Sequence, residues 1–303
     1  MSSSPSIAII ILHWKSIPAL IDCLTSLDAV SCANCTVTII NNGPNDLSGI
    51  GTVATRPIET IRTTANLGFS RGNNVGIKEA LRRRADYVLL LNDDTLVSPD
   101  FLPLLVESAE RDPAVAMAGP VIYYADAPRQ VWFAGARFTR HAELLFASRA
   151  GTGDNAAPES SDYITGCALL ARSSSIETIG LLDERFFLYW EDVDWGLRAR
   201  KAGYTNLVIP SARIWHKVSL STGGMESPLR AYHKTRSHLL MAKLHAPATI
   251  GRLHRKFLRD MAWLVLKSSD EHRMKKAFAY GAAIRDYHLG RTGRGPNSLW
   301  RSP

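Results

Sequence analysis

The chain lacks any long hydrophobic run, and that absence argues against a membrane-spanning helix. Its longest candidate segment, residues 261–266, is far shorter than the roughly 18 consecutive apolar residues that a membrane-spanning helix needs. The N-terminus carries neither a basic segment nor a signal-cleavage pattern, so we expect no export. The 303 residues have an ordinary composition, which predicts a globular protein of one large domain, or of one domain and a smaller one.

Cysteine is scarce, with four residues in the chain. Cys32 and Cys35 have the C-x-x-C spacing of zinc sites, but no second Cys/His pair lies close by, so the motif is weak evidence for a metal. We expect these two cysteines, together with Cys23 and Cys167, to be free thiols in a reducing compartment.

Two common nucleotide-binding signatures are also missing. The chain contains neither G-x-G-x-x-G nor G-x-x-x-x-G-K-[ST], which argues against a dinucleotide-binding enzyme and against a P-loop kinase. Any nucleotide must therefore be held by other groups.

Acidic residues are scarce in the last quarter of the chain. Residues 226–303 contain 16 Lys and Arg against 5 Asp and Glu, a net charge of +11, whereas residues 1–225 have a net charge of −3. This asymmetry predicts a basic region that meets an anionic partner, and nucleic acid and anionic lipid both qualify. A merely solvated helical surface explains the same charges equally well.

Strand and helix patterns alternate along the first part of the chain, which predicts an α/β protein with a doubly wound, mostly parallel sheet flanked by helices. A Gly/Asn-rich stretch at residues 66–76 predicts a loop that leads into a helix. Beyond it, helical patterns rich in basic residues dominate after residue 224, so we place a domain boundary near residue 225. That boundary divides a domain of residues 1–225 from a C-terminal helical extension of residues 226–303. The predicted strands are residues 7–12, 36–40, 58–62, 87–91 and 119–124.

The strand that begins at Tyr87 runs straight into Asn92, Asp93 and Asp94. Its five apolar residues predict a strand that is buried on both faces of a sheet, and ligands bind at the carboxyl ends of such strands. Adjacent carboxylates repel each other unless a cation joins them, and hard oxygen ligands suit Mg²⁺ or Mn²⁺. The alternative is a polar strand exit in which Asp94 caps whatever follows.

Two more polar pairs follow predicted strands. His13 and Trp14 come after the first strand, and Asn41 and Asn42 come after the second. Because the carboxyl ends of parallel strands meet at one edge of the sheet, we expect these side chains near Asp94. Trp14 could stack on a nucleobase and the asparagines could hydrogen-bond its edge, which would hold a nucleotide without a phosphate loop. The alternative for Trp14 is a half-buried core position.

A second acidic cluster follows a dense aromatic run. Glu191, Asp192 and Asp194 come directly after Trp190, at the start of a helical pattern. Asp194 can pair with Arg198 one turn later, whereas Asp192 has no such partner. A carboxylate against aromatic walls has a raised pKa and can act as a general base. The alternative is that these acids only favour the helix macrodipole.

His216 ends a further strand pattern. A neutral imidazole at that position could be a metal ligand beside the carboxylates. The alternative is a polar surface histidine, which is the more common role.

Taken in order, these segments resemble family-2 glycosyltransferases of the GT-A fold. The nearest resemblance is to bacterial rhamnosyltransferase-type members that build cell-surface polysaccharide. Each motif alone is loose, but the ordered set spans residues 7 to about 222 and is specific. The matching motifs are NLGF at 66–69, GNNVG at 72–76, LLNDD at 90–94, GLLDE at 180–184, FFLYWEDVD at 186–194, RARKAGY at 198–204 and HKVS at 216–219.

The resemblance implies a divalent metal, Mg²⁺ or Mn²⁺, on the diphosphate of the donor. Asp94 would bind the metal, and His216 would complete its coordination. Asn92 replaces the first acid of the family's D-x-D motif, and Asp93 would contact the donor beside it. Asp192 matches the catalytic base.

The resemblance also implies contacts with the substrates. The family usually carries an acid at the position of Asn41, where it reads a uracil or thymine ring, so the base of the donor stays open here. Arg71 and Asn73 would contact the nucleotide or its phosphates. Trp190 and Glu191 would face the sugars.

The implied activity is inverting transfer of a sugar from a nucleoside-diphosphate donor, dTDP-rhamnose or a UDP-sugar, to a hydroxyl of a glycan or lipid-linked acceptor. We expect a cytoplasmic enzyme, peripheral on the inner face of the plasma membrane. Its basic region, residues 226–303, would contact anionic lipid or form a homodimer. No nucleic-acid partner is expected.

Two rival functions stay open at this point. A sugar-nucleotide nucleotidyltransferase shares the sheet and the acidic ligands. Such an enzyme needs a basic, Gly-rich phosphate loop after the first strand, and residues 13–18 do not contain one. A nucleic-acid-binding protein would use the basic tail, but it would not explain acids that repel phosphate when no metal is present.

Overall fold

The computed structural model describes residues 4–147, 156–217 and 227–300. Ten strands in these ranges form one mixed, mostly parallel sheet, and two others form a separate hairpin. The ten strands are β1 (Ile7–His13), β2 (Cys35–Asn41), β3 (Ile58–Arg62), β4 (Tyr87–Asn92), β5 (Thr95–Val97), β6 (Val115–Tyr124), β7 (Val131–Phe133), β10 (Glu159–Ser161), β11 (Ala168–Arg172) and β12 (Thr205–His216), and the hairpin is β8 (Ala136–Phe138) and β9 (Leu144–Phe146).

Helices cover the sheet and continue beyond it. They are α1 (Ile17–Asp28), α2 (Gly68–Arg82), α3 (Phe101–Glu110), α4 (Ser173–Ile179), α5 (Glu191–Lys201), α6 (Pro228–His245), α7 (Ile250–Leu266) and α8 (Arg273–His288).

The order of strands places polar strand ends side by side. Along the sheet the strands follow the order β10, β12, β6, β11, β4, β1, β2 and β3, with β5 paired to β12 and β7 paired to β6. The strands β4, β1, β2 and β3 are parallel, so their carboxyl ends share one edge. This alternation of helix and parallel strand confirms the predicted α/β sheet, including its short third strand.

The centre of the core consists of the strands with uninterrupted apolar runs. Ile9 and Ile11 of β1 and Leu89 and Leu90 of β4 have at most 1% of their surface exposed. Such burial on both faces requires helices on both sides of the sheet, which explains why these strands do not alternate between apolar and polar residues.

Helix α2 begins earlier than the sequence predicts. The Gly/Asn-rich stretch predicts a loop as far as residue 76, but the chain is helical from Gly68. A Cβ atom on Gly72 would lie 2.5 Å from Leu12 Cδ1, and one on Gly76 would lie 2.6 Å from Ile10 Cγ2. These glycines therefore allow α2 to pack closely on β1, and that packing outweighs their poor helix propensity.

The expectation of four free thiols was wrong for one pair. Cys32 and Cys35 form a disulfide with a Cα–Cα distance of 5.7 Å, whereas Cys23 and Cys167 are buried free thiols. The reason is local, because residues 33–34 form a tight turn before β2 that brings the two cysteines together.

The helices after residue 227 pack against the sheet domain through polar contacts with α5 and with the residues that precede it. Asp194 accepts a hydrogen bond from Arg198 at 2.8 Å, as predicted, and its other oxygen lies 2.8 Å from Nε2 of His245 on α6. Ser237 of α6 donates to the carbonyl of Leu188. The predicted boundary near residue 225 lies outside the described residues.

No helix within the three described ranges is both long enough and apolar enough to cross a membrane.

Replacing Asp194 with alanine should lower the free energy of unfolding by about 3 kcal/mol, because Arg198 and His245 lose the buried carboxylate that they share. Urea denaturation followed by tryptophan fluorescence measures the change. The matched control is Glu107→Ala, which breaks an exposed pair with Arg111 and should cost less than about 0.5 kcal/mol. Equal losses in both variants would contradict a role for Asp194 in attaching α6.

Candidate active site

A large cleft opens at the carboxyl ends of β1 and β4, with a cavity of about 1450 Å³. Ligands bind at this edge of open α/β sheets. It brings together nine of the residues that the sequence singles out: Trp14, Asn42, Asn92, Asp93, Asp94, Trp190, Glu191, Asp192 and His216.

Asp94 and His216 meet at one end of the cleft because two strands pair there. β5 begins directly after Asp94 and runs antiparallel to β12, which sets His216 opposite Thr95. His216 Nε2 lies 3.1 Å from Asp94 Oδ1, and both side chains are buried. Burial by itself lowers the pKa of His216, but the sulfur of Cys167 and the carboxylate of Asp94 outweigh it and raise that pKa to about 11.

This pair fits a divalent cation. Asp94 Oδ1 is buried, and apart from the ion pair with His216 it has no polar partner among the described residues. A metal ion would bind His216 only as a neutral imidazole, so it would displace the proton that the raised pKa favours. The carboxylate of Asp94 suits Mn²⁺ and Mg²⁺, which usually take further ligands from water and from substrate phosphates. No group of three or more His, Cys, Asp or Glu that could hold a metal ion is found in residues 4–147, 156–217 and 227–300.

His13 lies beneath the cleft and positions Asp93. Its ring is fully buried, with Nδ1 2.7 Å from a carboxylate oxygen of Asp93 and Nε2 2.8 Å from the side-chain amide of Asn45. The amide nitrogen of Asn45 can only donate to Nε2, so Nε2 is the acceptor. Nδ1 therefore carries the ring proton and donates a hydrogen bond to Asp93. Burial raises the pKa of Asp93, although the hydrogen bond from His13 opposes that rise.

Three residues that were expected to contact the nucleotide make other contacts in the structure. The Asn41 amide donates to the carbonyl of Asn45 at 2.8 Å, and the Asn73 amide donates to the carbonyl of Phe69 one turn earlier at 3.0 Å. Arg71 pairs with Glu184 and has 59% of its side chain exposed. None of the three lines the cleft. The short side chains of Asn41 and Asn73 satisfy nearby backbone groups, and the guanidinium of Arg71 is paired with Glu184.

Asn42 lines the cleft and also shapes it. Its side-chain oxygen accepts the backbone N–H of Leu67 at 2.8 Å, and its amide donates to the side chain of Asn66 at 3.1 Å. These contacts fasten the start of α2 to the end of β2.

Asp192 stands at the first turn of α5 and faces the cleft. Its two oxygens accept the backbone N–H groups of Gly166 at 3.0 Å and Val193 at 2.8 Å. Burial raises the pKa of Asp192, and these hydrogen bonds oppose the rise. Neighbouring Glu191 is buried more deeply, and burial followed by the charge of Asp192 raises its pKa well above the usual range. The two acids therefore differ in the protonation state that they favour. Burial favours the neutral form of Glu191, whereas the backbone donors around Asp192 stabilise its carboxylate.

The backbone that leads into Asp192 is strained. Tyr189 and Trp190 both have positive φ angles, 68° and 74°, which cost non-glycine residues about 1–2 kcal/mol each. Helix α6 holds this conformation, because His238 stacks on Trp190 with ring centroids 4.3 Å apart and Lys234 lies over the Tyr189 ring.

The structure adds residues to the cleft that no sequence pattern indicates. Trp132 stands edge-on to His216 at 4.7 Å, and Trp300 stands edge-on to Trp14 at 6.3 Å. Cys167 also lines the cleft. None of these three residues belongs to a motif. Trp132 and Trp300 are distant in sequence from the rings that they contact, so only the folded chain brings them together.

Comparison with known proteins agrees with this geometry. The model of Glycosyl transferase family 2 matches residues 8–179, which is more than half of the chain. An N-acetylglucosaminyl-diphospho-decaprenol L-rhamnosyltransferase of Mycobacterium tuberculosis is 28% identical over 258 residues, with 74% of this chain and 80% of that protein covered. The dTDP-rhamnosyl transferase RfbF of Shigella flexneri is 23% identical over 226 residues, with 72% and 74% covered.

A solved structure shares the architecture. The crystal structure of GalNAc-T7 with UDP, GalNAc and Mn²⁺ matches with a TM-score of 0.67 at 12% identity, over 94% of this chain. The match covers 55% of that chain, so the present chain spans about half the length of that protein. Such a likeness shows the fold, which is the predicted GT-A type. This chain belongs to glycosyltransferase family 2, and it is a GT-A enzyme similar to bacterial rhamnosyltransferases.

Proposed function

We propose that the protein is an inverting, metal-dependent glycosyltransferase of cell-surface polysaccharide synthesis. It moves a sugar from a nucleoside-diphosphate donor, dTDP-rhamnose or a UDP-sugar, to a hydroxyl of a glycan or lipid-linked acceptor. One observation carries the proposal: the pair of Asp94 and His216 lines the same cleft as Asp192. The relatives' names support a rhamnosyl donor and an acceptor on a lipid diphosphate. The comparisons lend no support to a nucleotidyltransferase or to a nucleic-acid-binding protein.

The proposed reaction is a single displacement. Asp192 accepts the proton of the acceptor hydroxyl as that oxygen attacks the anomeric carbon, while the bond to the nucleoside diphosphate breaks. One attack from the opposite side inverts the anomeric centre. Asp94 and His216 would hold the divalent metal, whose chemistry is to neutralise charge on the departing diphosphate. Trp190 and Glu191 line the cleft beside Asp192, where they would face the sugars.

Asp192→Asn should lower kcat by at least about 100-fold, because the amide keeps the shape of the side chain but cannot accept the proton. The Kd for UDP or dTDP should change by less than about twofold, since Asp192 does not bind the nucleotide. Release of nucleoside diphosphate and isothermal titration calorimetry measure the two quantities. The matched control is Asp183→Asn, a carboxylate that pairs with Arg185 outside the cleft and should leave kcat unchanged. Normal turnover by Asp192→Asn would remove it as the base.

Asp94→Ala should abolish the Mn²⁺-dependent part of nucleoside-diphosphate binding, because it removes the carboxylate that is paired with His216 in the described part of the chain. Calorimetric titration of UDP or dTDP, with Mn²⁺ and with EDTA, separates that part from direct contacts. His216→Ala should weaken the same component. Asp100→Ala, an exposed aspartate at the start of α3, should behave as the wild type does. A metal-dependent component that survives in Asp94→Ala would contradict the assignment.

We also propose that the C-terminal helices hold the enzyme at an anionic membrane surface, on the inner face of the plasma membrane. Leu258, Val265 and Leu266 of α7 are large apolar side chains with 44–77% of their surface exposed. Arg255 and Arg259 of the same helix have no ion-pair partner among the described residues. An exposed apolar side flanked by unpaired cations is the pattern of a helix that lies in the interface of an anionic bilayer. A lipid-linked acceptor would be met at that surface.

Arg255→Gln with Arg259→Gln should weaken binding to phosphatidylglycerol vesicles by about 30-fold, since each cation contributes about 1 kcal/mol near an anionic surface. Co-sedimentation of the full chain with vesicles measures the change. The control pair is Arg82→Gln with Arg111→Gln, which removes the same charge from α2 and from the residue that follows α3, and it should have little effect. Unchanged vesicle binding in the first pair would reject the membrane role. Conversion of a dimer to a monomer by Leu266→Ser would instead show a homodimer interface.

A further inference from the structure

The last described segment of the chain is anchored over the cleft. Arg236 of α6 donates to the carbonyl of Gly293 at 2.8 Å. Gly295 has a φ of 76°, and a Cβ atom there would lie 2.3 Å from a ring carbon of Tyr232, so only glycine fits at that position. The segment is therefore held close to α6 immediately before it reaches Trp300.

Two contacts set the orientation of Trp300. Its indole N–H donates to the carbonyl of Arg294 at 2.8 Å, and the Arg294 guanidinium lies 4.5 Å from the ring centroid. The ring then faces the cleft, where it stands at 83° to Trp14 and at 82° to Phe187, with centroids 6.3 and 6.0 Å apart. An indole that is fixed in this way loses little conformational entropy when a ligand packs on it.

Trp14 and Asp94 lie at the ends of neighbouring strands. Trp14 follows β1 and Asp94 follows β4, and these strands are paired in parallel register. A donor whose diphosphate meets Asp94 must place its nucleoside further along the cleft. Asn42 and Trp14 both line the cleft, and Trp300 lies against Trp14.

We propose that Trp300 and Trp14 are two sides of the subsite that receives the nucleobase of the donor. Two aromatic rings at nearly right angles form a corner, in which a planar base stacks on one ring and sets its edge against the other. Stacking of this kind accepts any base, because every base has a π face. The assignment rests on the proposed function, and it extends the donor site to a residue at the far end of the sequence.

Trp300→Ala should raise the Kd for UDP and for dTDP by about 10-fold, which corresponds to about 1.4 kcal/mol, while the Kd for inorganic pyrophosphate stays unchanged. Calorimetric titration of the full chain in Mn²⁺ measures both ligands. Trp300→Phe should recover most of the affinity, because it keeps an aromatic face. The matched control is Phe278→Ala, an exposed aromatic on α8 outside the cleft, which should change neither Kd.

The outcomes separate this inference from the proposed function. If the wild type binds neither UDP nor dTDP, the proposed function fails and the subsite fails with it. If the wild type binds them and Trp300→Ala binds them equally well, only the subsite is overturned. A loss of pyrophosphate affinity that matches the loss of nucleotide affinity, or a lowered Tm in both Trp300 variants, would show that Trp300 only supports the fold.

Discussion

The candidate site depends on the pairing of β5 with β12. That pairing sets His216 opposite Thr95, and so brings its imidazole to within 3.1 Å of Asp94 at the end of β4. A shift of one residue in the register would turn His216 to the other face of the sheet. The proposed metal site therefore joins the last residue of β12 to the two-residue turn between β4 and β5, and the hydrogen-bonded strands on either side keep its ligands in place before any substrate arrives.

The other half of the site depends on α6. Tyr189 and Trp190 are held in left-handed conformations just before Asp192, and the stack of Trp190 on His238 compensates for that strain. The buried contact between Asp194 and His245 fastens α5 to the same helix. The basic C-terminal region thus contributes to the wall of the cleft, and its position bears directly on the orientation of Asp192.

Much of the fold could be predicted, because its signals are local. Apolar runs identified the buried strands, and their alternation with helices identified a mostly parallel α/β sheet. The resemblance of the ordered motifs to family-2 glycosyltransferases implied the GT-A type. The prediction failed for the start of α2, where Gly72 and Gly76 meet β1 closely, and for Cys32 and Cys35, which a two-residue turn brings together. Both failures concern contacts between atoms, which composition and periodicity do not describe.

The site was predictable only in part, for a related reason. Polar residues after parallel strands must reach the same edge of the sheet, so Trp14 and Asp94 could be grouped from their positions alone. Which side chain faces the ligand depends on hydrogen bonds in the folded chain. Those bonds direct His13 toward Asp93, and they direct Asn41 toward the backbone of Asn45.

The sequence by itself determined the class of fold, the family and the acidic segments at the strand ends, because hydrophobic periodicity and ordered motifs are properties of neighbouring residues. Only the tertiary structure decided that His216 faces Asp94, that α6 supports Trp190, and that Trp300 stands against Trp14. Each of those contacts joins residues that are far apart in the chain. Their approach follows from strand register and helix packing, which no local pattern specifies.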